Sequence, residues 1–95
     1  MGYDVRIVED GEEKYVFYAP DRFEQVWMEA GLDLLADHGL RSIRVEADVM
    51  DARLIMQSES FRQRHAESQE VVLHFLDRLL DGLRECPNGF VYVDY

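Results

Sequence analysis

The most reactive side chains of this 95-residue chain are one cysteine, three histidines and a short run of carboxylates. Nucleophilic catalysis requires a Ser, Cys or Lys beside a base that a third group orients. Cys86 precedes Pro87 and continues an apolar helical spacing, which is typical of a buried structural thiol. Ser58, Ser60 and Ser68 fit helix caps or a hydroxyl at the edge of the core. We therefore expect no catalytic residue and no enzymatic activity.

The histidines do not have the spacing of a metal site. His65 and His74 lie nine residues apart on one predicted helix, so their side chains point to opposite sides of it. His38 precedes Gly39, where an imidazole suits the last carbonyls of a helix. His65 falls on the apolar side of its helix, which favours a part-buried histidine over a ligand or a base.

The run VEADVMD places Glu46, Asp48 and Asp51 close together in the sequence. Hard cations such as Mg²⁺ and Ca²⁺ take several oxygen ligands from one site. The run nevertheless lacks the glycine and the terminal bidentate Glu of a dedicated calcium loop. We interpret these carboxylates as the solvated face of a strand, and we predict no metal and no cofactor.

Two series of acidic residues repeat every four positions on predicted helices. The first series is Glu29, Asp33 and Asp37, and the second is Asp77, Asp81 and Glu85. Like charges at this spacing destabilise a helix by about 0.2–0.5 kcal/mol per pair. Either the acids bind a basic partner or they form the solvated face of an acidic, salt-adapted protein, and both interpretations stay open.

The first predicted helix also carries an apolar series apart from its core-facing side. Met28, Leu32 and Leu35 are spaced at i, i+4 and i+7. Contiguous exposed apolar surface usually marks an interface. These residues and the two acidic series are therefore the predicted partner-binding residues. The alternative is that the small domain covers this helix on two sides, for instance with residues 53–57.

The stretch VEDGEEK, residues 8–14, joins two apolar runs through an Asp-Gly pair, which is a strong hairpin signal. A two-residue turn would pair odd positions with even ones. A three-residue loop, Glu9-Asp10-Gly11, pairs odd with odd and gathers five apolar residues on one face: Tyr3, Val5, Ile7, Tyr15 and Phe17. We predict the second register. We interpret its carboxylates primarily as those of a solvated turn and secondarily as an extension of the acidic surface.

The stretch PDRFE predicts the start of a helix, because Asp21 can cap it and Glu24 can return the bond. Gly39 predicts its end, so the helix covers residues 22–38. Its core-facing residues at helical spacing are Phe23, Val26, Trp27, Ala30 and Leu34.

The second half of the chain predicts a strand, a long helix and a final strand. Alternating apolar residues at 43–47 indicate a strand, and residues 53–57 fit either a short strand, which we favour, or a helix start. A helix from Ser58 or Ser60 to Cys86, interrupted near Ala66, places eight residues on one stripe: Phe61, His65, Ser68, Val72, Phe75, Leu76, Leu79 and Leu83. The run FVYVDY predicts a strand inside the sheet.

These elements predict one compact α+β domain over residues 1–95. The order β-β-α-β-(β)-α-β implies a two-layer sandwich, with a mixed sheet of four or five strands and two helices on one face. The predicted core includes Trp27, Leu34, Phe75, Leu79 and Tyr92.

Composition limits the function classes. Twenty acidic residues face ten basic ones, for a net charge of -10, whereas nucleic acids and anionic membranes bind clustered Lys and Arg. We therefore predict neither direct nucleic-acid binding nor membrane binding. The first residues lack the pattern of a signal peptide, and no apolar run approaches the ~20 residues that cross a bilayer. We expect a cytoplasmic protein.

The sequence thus predicts a small acidic protein-binding module without enzymatic activity. Acids beside an apolar anchor suit a basic surface of a partner protein, such as a nuclease or another nucleic-acid-binding protein. Inhibitors of the immunity, antitoxin or phage DNA-mimic kind work by this logic. The alternative is a homodimeric structural or regulatory module that pairs through Met28, Leu32 and Leu35.

Overall fold

A computed structural model of the chain describes residues 2–34 and 39–94, which form an α+β sandwich of two layers, as predicted. Four strands and four helices lie in these ranges. In chain order they are β1 (Gly2–Glu9), β2 (Glu12–Pro20), α1 (Arg22–Glu29), β3 (Leu40–Arg41), α2 (Ser42–Met56), α3 (Glu59–Arg64), α4 (Gln69–Glu85) and β4 (Phe90–Asp94). None of the described helices combines the length and the apolar character needed to cross a membrane.

The sheet has the order β2-β1-β4-β3, and every described pairing in it is antiparallel. The predicted mixed sheet is therefore wrong. The prediction of an interior position for β4 is confirmed, because β4 lies between β1 and β3. Tyr92 was predicted in the core, but Val91 faces the core and Tyr92, the next residue, is half-buried on the other sheet face.

The hairpin pairs odd positions with odd ones, as predicted, and Ile7 faces Tyr15. The predicted three-residue loop is wrong. Glu9 pairs with Glu12, which leaves a turn of two central residues, Asp10 and Gly11, both at positive φ (55° and 75°). Positive φ at both positions is what a type I′ turn requires.

A β-bulge reconciles the short turn with the odd register. The register shifts between Ile7 and Val8, so that Lys14 is an extra residue in β2. A three-residue loop was predicted to set the odd register, whereas in the fold a bulge sets it, two residue pairs before the turn.

Helix α1 ends at Glu29, far short of residue 38, and residues 30–34 are not helical. Gly31 adopts φ 84°, its N–H donates to the Met28 carbonyl at 3.0 Å, and the Leu32 N–H donates to the Trp27 carbonyl at 2.9 Å. These two bonds form a Schellman motif. The early stop signal was therefore Gly31, and residues 35–38 lie outside the described residues.

The predicted capping box at the start of α1 is wrong. The Asp21 side chain makes no capping hydrogen bond to the described first turn of α1. The Glu24 carboxylate instead accepts a hydrogen bond from the Tyr3 hydroxyl of β1. This bond ties the first turn of α1 to the sheet. All five residues predicted on the core side are buried, but Ala30 and Leu34 lie beyond the end of α1.

Helix α2 replaces the strand predicted at 43–47 and also includes residues 53–56 of the segment 53–57, so both strand predictions are wrong. The alternation of Ile43 and Val45 imitated a strand because α2 is apolar on two sides. The side that is buried has the helical spacing i, i+4, i+7 and i+11 and consists of Val45, Val49, Ala52 and Met56.

The predicted long helix is present as two helices, α3 and α4, with the break at the predicted place near Ala66. Ser58 caps α3, because its Oγ accepts from the Phe61 N–H at 3.3 Å. The apolar stripe of α4 is buried as predicted. Gly82 lies in that stripe, and a Cβ there would be 3.1 Å from Ile7 Cδ1 and from Phe17 Cζ, so α4 approaches the sheet closely at this point.

Leu79→Ala should lower the free energy of unfolding by about 2–5 kcal/mol, because the side chain of Leu79, on α4, is fully buried in the core. Urea denaturation followed by the fluorescence of Trp27, the one tryptophan of the chain, measures this change. Val71→Ala is the control on the same helix, since Val71 is 48% exposed and its truncation should cost little. Equal effects of the two substitutions would contradict the assigned core.

Candidate functional site

The first acidic series does not form on one helix. Glu29 is the last residue of α1, and Asp33 lies beyond the Gly31 turn, where it is exposed. Asp37 lies outside the described residues. The predicted i, i+4 spacing therefore fails between Glu29 and Asp33, because the Schellman turn changes the direction of the chain before Asp33.

The predicted apolar series on α1 loses its central member. Leu32 is only 1% exposed, because the Schellman turn carries it into the core instead of along the helix surface. Met28 is exposed, and Leu35 lies outside the described residues. Homodimer pairing through this stripe would need Leu32 at the surface. The burial of Leu32 fits the alternative interpretation of the sequence, in which the small domain covers this segment on two sides.

The second acidic series lies on α4 as predicted, and Asp77, Asp81 and Glu85 are all exposed there. Asp77 Oδ1 lies 2.7 Å from Arg53 Nη2 of α2. On the same flank, Arg84 Nε donates to Glu46 Oε2 at 2.8 Å. These two ion pairs between α2 and α4 relieve part of the repulsion that the spacing of the series produces.

His65 is a boundary histidine, as predicted. Its side chain is 15% exposed, and its Nε2 lies 2.6 Å from Glu29 Oε2. The ring also packs on Phe61, with centroids 4.7 Å apart. This contact joins the end of α1 to the end of α3. The hydrogen bond with His65 lowers the pKa of Glu29, and the nearby guanidinium of Arg64 contributes in the same direction.

Groups for covalent or metal chemistry are dispersed. Cys86 is buried, as predicted, and this burial raises the pKa of its thiol. Over residues 2–34 and 39–94, no three side chains of the metal-binding types come close enough to hold an ion. Glu46 and Asp48 lie on different sides of helix α2 rather than on one side of a strand.

A polar cleft of about 610 Å³ separates the end of α2 from α3 and the start of α4. Gln57, Arg62, Gln63, Gln69 and Glu70 are among the residues that line it. Gln69 also donates to the Met56 carbonyl at 3.0 Å, a bond that holds α4 to the end of α2. The described lining lacks the apolar wall that usually accompanies a small-molecule site.

The open face of the sheet is the surface that the sequence analysis missed. Helices α1, α2 and α4 contact the sheet, and its helix-covered face carries Val5, Ile7 and Val91. The even-numbered side chains of β1 and β4 point away from the helices, and so do Glu13, Val16 and Tyr18 of β2, because the bulge reverses the alternation within this strand. Among these outward residues Val16 is about half exposed, Tyr18 is 59% exposed and Phe90 is also exposed. The register places them on three rows of one surface.

Carboxylates share the open face with these apolar side chains. Arg6 occupies the middle of the open face, where its Nε lies 2.7 Å from Asp94 Oδ2 and its Nη1 lies 3.3 Å from Glu13 Oε1. Asp4 pairs with Tyr18 in the neighbouring row. At the hairpin tip Asp10 is exposed in the turn, whereas Glu9 and Glu12 pair with each other at the alternation of the helix-covered face. The open face therefore has a central guanidinium with carboxylates, and its exposed apolar side chains lie on β2 and β4 on either side of it.

The sequence did contain a signal for this face. In β2 the residues Tyr15 and Phe17 were assigned to the core, and the alternation of a strand then sends Val16 and Tyr18 to the opposite face. Val16 and Tyr18 at the outward positions of this strand could therefore have predicted an exposed apolar sheet face.

Helix α2 carries a second exposed apolar surface. Ile43 is 61% exposed, Leu54 is 70% exposed and Met50 lies between them on the same side of the helix. This side is nearly opposite to the buried side of α2 and thus belongs to the outer surface of the helical layer.

The chain matches no protein-family model, no curated protein and no solved structure. Its function is therefore inferred from the surfaces of the molecule.

Glu29→Gln should make the stability less dependent on pH below the ordinary glutamate value of 4.5. The lowered pKa of Glu29 means that the wild type gains stability from this carboxylate above pH 4.5 and loses it as pH falls through the lowered pKa. Urea denaturation from about pH 6 to pH 3 measures the difference between the two proteins, which should shrink with acidification.

Glu85→Gln is the control for this measurement, because it removes an exposed carboxylate at the end of α4 instead. A difference between wild type and Glu29→Gln that stays constant over the whole range would show that the His65–Glu29 contact contributes nothing to stability.

Proposed function

We propose that this protein is a cytoplasmic, non-enzymatic binding module that docks the open face of its sheet on a basic surface of a partner protein. The observation that carries the proposal is the set of exposed apolar residues Val16, Tyr18 and Phe90 on a face that they share with several carboxylates. The acidic side chains of this surface belong mainly to β1, the hairpin and β4.

Apolar burial supports binding at this face. Complete burial of a side chain such as valine or phenylalanine contributes about 1.5–3 kcal/mol. Tyrosine is also among the residues most often found at the energetic centre of protein interfaces. An antiparallel sheet can leave one face to water, but that face is then usually polar, so Val16, Tyr18 and Phe90 are unusual there.

Charge indicates the kind of partner. Three carboxylates, those of Asp4, Glu13 and Asp94, lie on the open face near the guanidinium of Arg6. Arg41 of β3 pairs with Phe90 and adds a second guanidinium to this face, so acids still outnumber bases among these residues. The whole chain carries -10, so its field attracts basic surfaces and repels acidic ones. Such charges mainly accelerate association, and the apolar residues lengthen the lifetime of the complex.

Nucleic-acid-binding proteins are the class of partner that we favour, because their binding surfaces are basic by necessity. An acidic protein that covers such a surface acts as an inhibitor, in the manner of an immunity protein, an antitoxin or a DNA mimic. Charge and size support this finer assignment, with the exposed apolar residues of β2 and β4 as the anchor.

Site-specific photo-crosslinking in the cells that express the protein tests the proposal. A photoreactive amino acid in place of Tyr18 should give adducts with a basic protein, and the same group in place of the exposed Gln63 on α3 should not. With the purified protein and the recovered partner, the yield at position 18 should fall as salt rises, since the Debye length shortens from ~10 Å at 0.1 M to ~3 Å at 1 M. Adducts at position 63 alone would contradict docking through the open face.

Tyr18→Asp should weaken binding of the recovered partner by at least about tenfold, because it places a charge in a patch that must lose water on binding. The melting temperature should change little, since Tyr18 is 59% exposed. Tyr18→Phe is the matched control and should retain most of the affinity. Isothermal titration of the three proteins gives the affinities, and equal values for all three would contradict the proposal.

A further inference from the structure

We propose that helix α2 is a self-association surface, on which two copies of this chain pair their α2 helices antiparallel. Four exposed residues form the contact side of the helix: Ile43, Ala47, Met50 and Leu54. Their spacings of four, three and four residues are those of the a and d positions of a coiled coil, which place side chains along one straight seam.

The position of this seam leaves it accessible. At about 100° per residue, the seam lies nearly opposite the buried side of α2 that carries Val45, Val49 and Met56. Neighbouring α4 reaches only its margin, where Arg84 Nη2 lies 3.7 Å from Met50 Sδ. A helix that is apolar on two opposite sides has one side for its own core and one for a partner.

The sizes of the side chains fit an antiparallel second copy. In this arrangement Ile43 meets Leu54 of the second copy, and Ala47 meets Met50 of the second copy. Each layer then sets a smaller or branched residue against a longer one, which fills the space between the helices. A parallel pair would instead stack the two small Ala47 side chains on each other and leave a gap.

The charges beside the seam are complementary in the same arrangement. Arg44 and Asp51 flank one side of the seam, and Glu46 and Arg53 flank the other. Glu46 and Arg53 already pair with Arg84 and Asp77 of α4, so they do not direct the association. On the other flank an antiparallel pair brings Arg44 beside Asp51 of the second copy, and opposite charges meet there as they do at the e and g positions that direct coiled-coil pairing.

The seam is short, so the dimer should be modest in affinity. α2 has 15 residues, a length of roughly 22 Å. Four layers of side chains place the contact near the low end of specific interfaces, which start at about 1,200 Å². The open sheet face lies on the other layer of the molecule, so a dimer would present two open faces at once.

Sedimentation equilibrium of the purified chain tests this inference. The wild type should reach about twice its monomer mass of 11.2 kDa as its concentration approaches ~0.1 mM. Leu54→Glu should raise the dissociation constant at least about tenfold, whereas Gln63→Glu, which adds the same charge on α3, should not. Unchanged Trp27 fluorescence shows that both variants are folded. A wild type that stays monomeric overturns the inference.

A charge exchange tests the antiparallel pairing itself. Arg44→Glu places a carboxylate beside Asp51 of the second copy, and Asp51→Arg places two guanidinium groups together, so each alone should weaken the dimer. The double variant restores an opposite pair and should return the dissociation constant to near the wild-type value. Failure of this rescue overturns antiparallel pairing on α2. Crosslinking at position 18 should proceed equally in Leu54→Glu, so loss of the dimer and loss of the partner are separate outcomes.

Discussion

The packing of α4 against the sheet is the interaction on which the rest of the structure depends. Val72, Leu76, Leu79 and Leu83 are fully buried along this helix, and α4 contacts β2, α1 and α2. Gly82 permits the close approach, because a side chain there would press on the core residues of β1 and β2. With α4 fixed at the centre of the helical layer, α1 and α2 take positions on either side of it.

This arrangement leaves two surfaces uncovered by the described elements. A domain of this size builds a core between two layers, and residues 2–34 and 39–94 form no third layer over the outer face of the sheet or the outer side of α2. Tyr18 remains exposed on the first surface and Leu54 on the second. Both proposals assign these exposed apolar residues to partners, a basic protein for the sheet face and a second copy of the chain for α2.

Much of the fold could be predicted from local patterns. Which apolar residues are exposed could not, because it depends on where the helices and strands end. The hairpin register, the core side of α1 and the stripe of α4 follow from alternation or helical spacing. The predicted binding stripe failed because of the turn at Gly31. A helix that continued to residue 38 would expose Leu32, but the turn buries it. For α2, apolar residues on two sides imitated the alternation of a strand. Side-chain spacing alone does not distinguish these cases, because tertiary packing selects the element.

Covalent footprinting with mass spectrometry tests the central claim, that two separate surfaces serve two separate partners. In the purified protein, protection should grow with concentration at Ile43, Met50 and Leu54 and remain absent at Tyr18 and Phe90. Addition of the crosslinked basic partner should then protect Tyr18 and Phe90 without exposing α2. Protection of both surfaces together at every step, or of neither, would contradict the account.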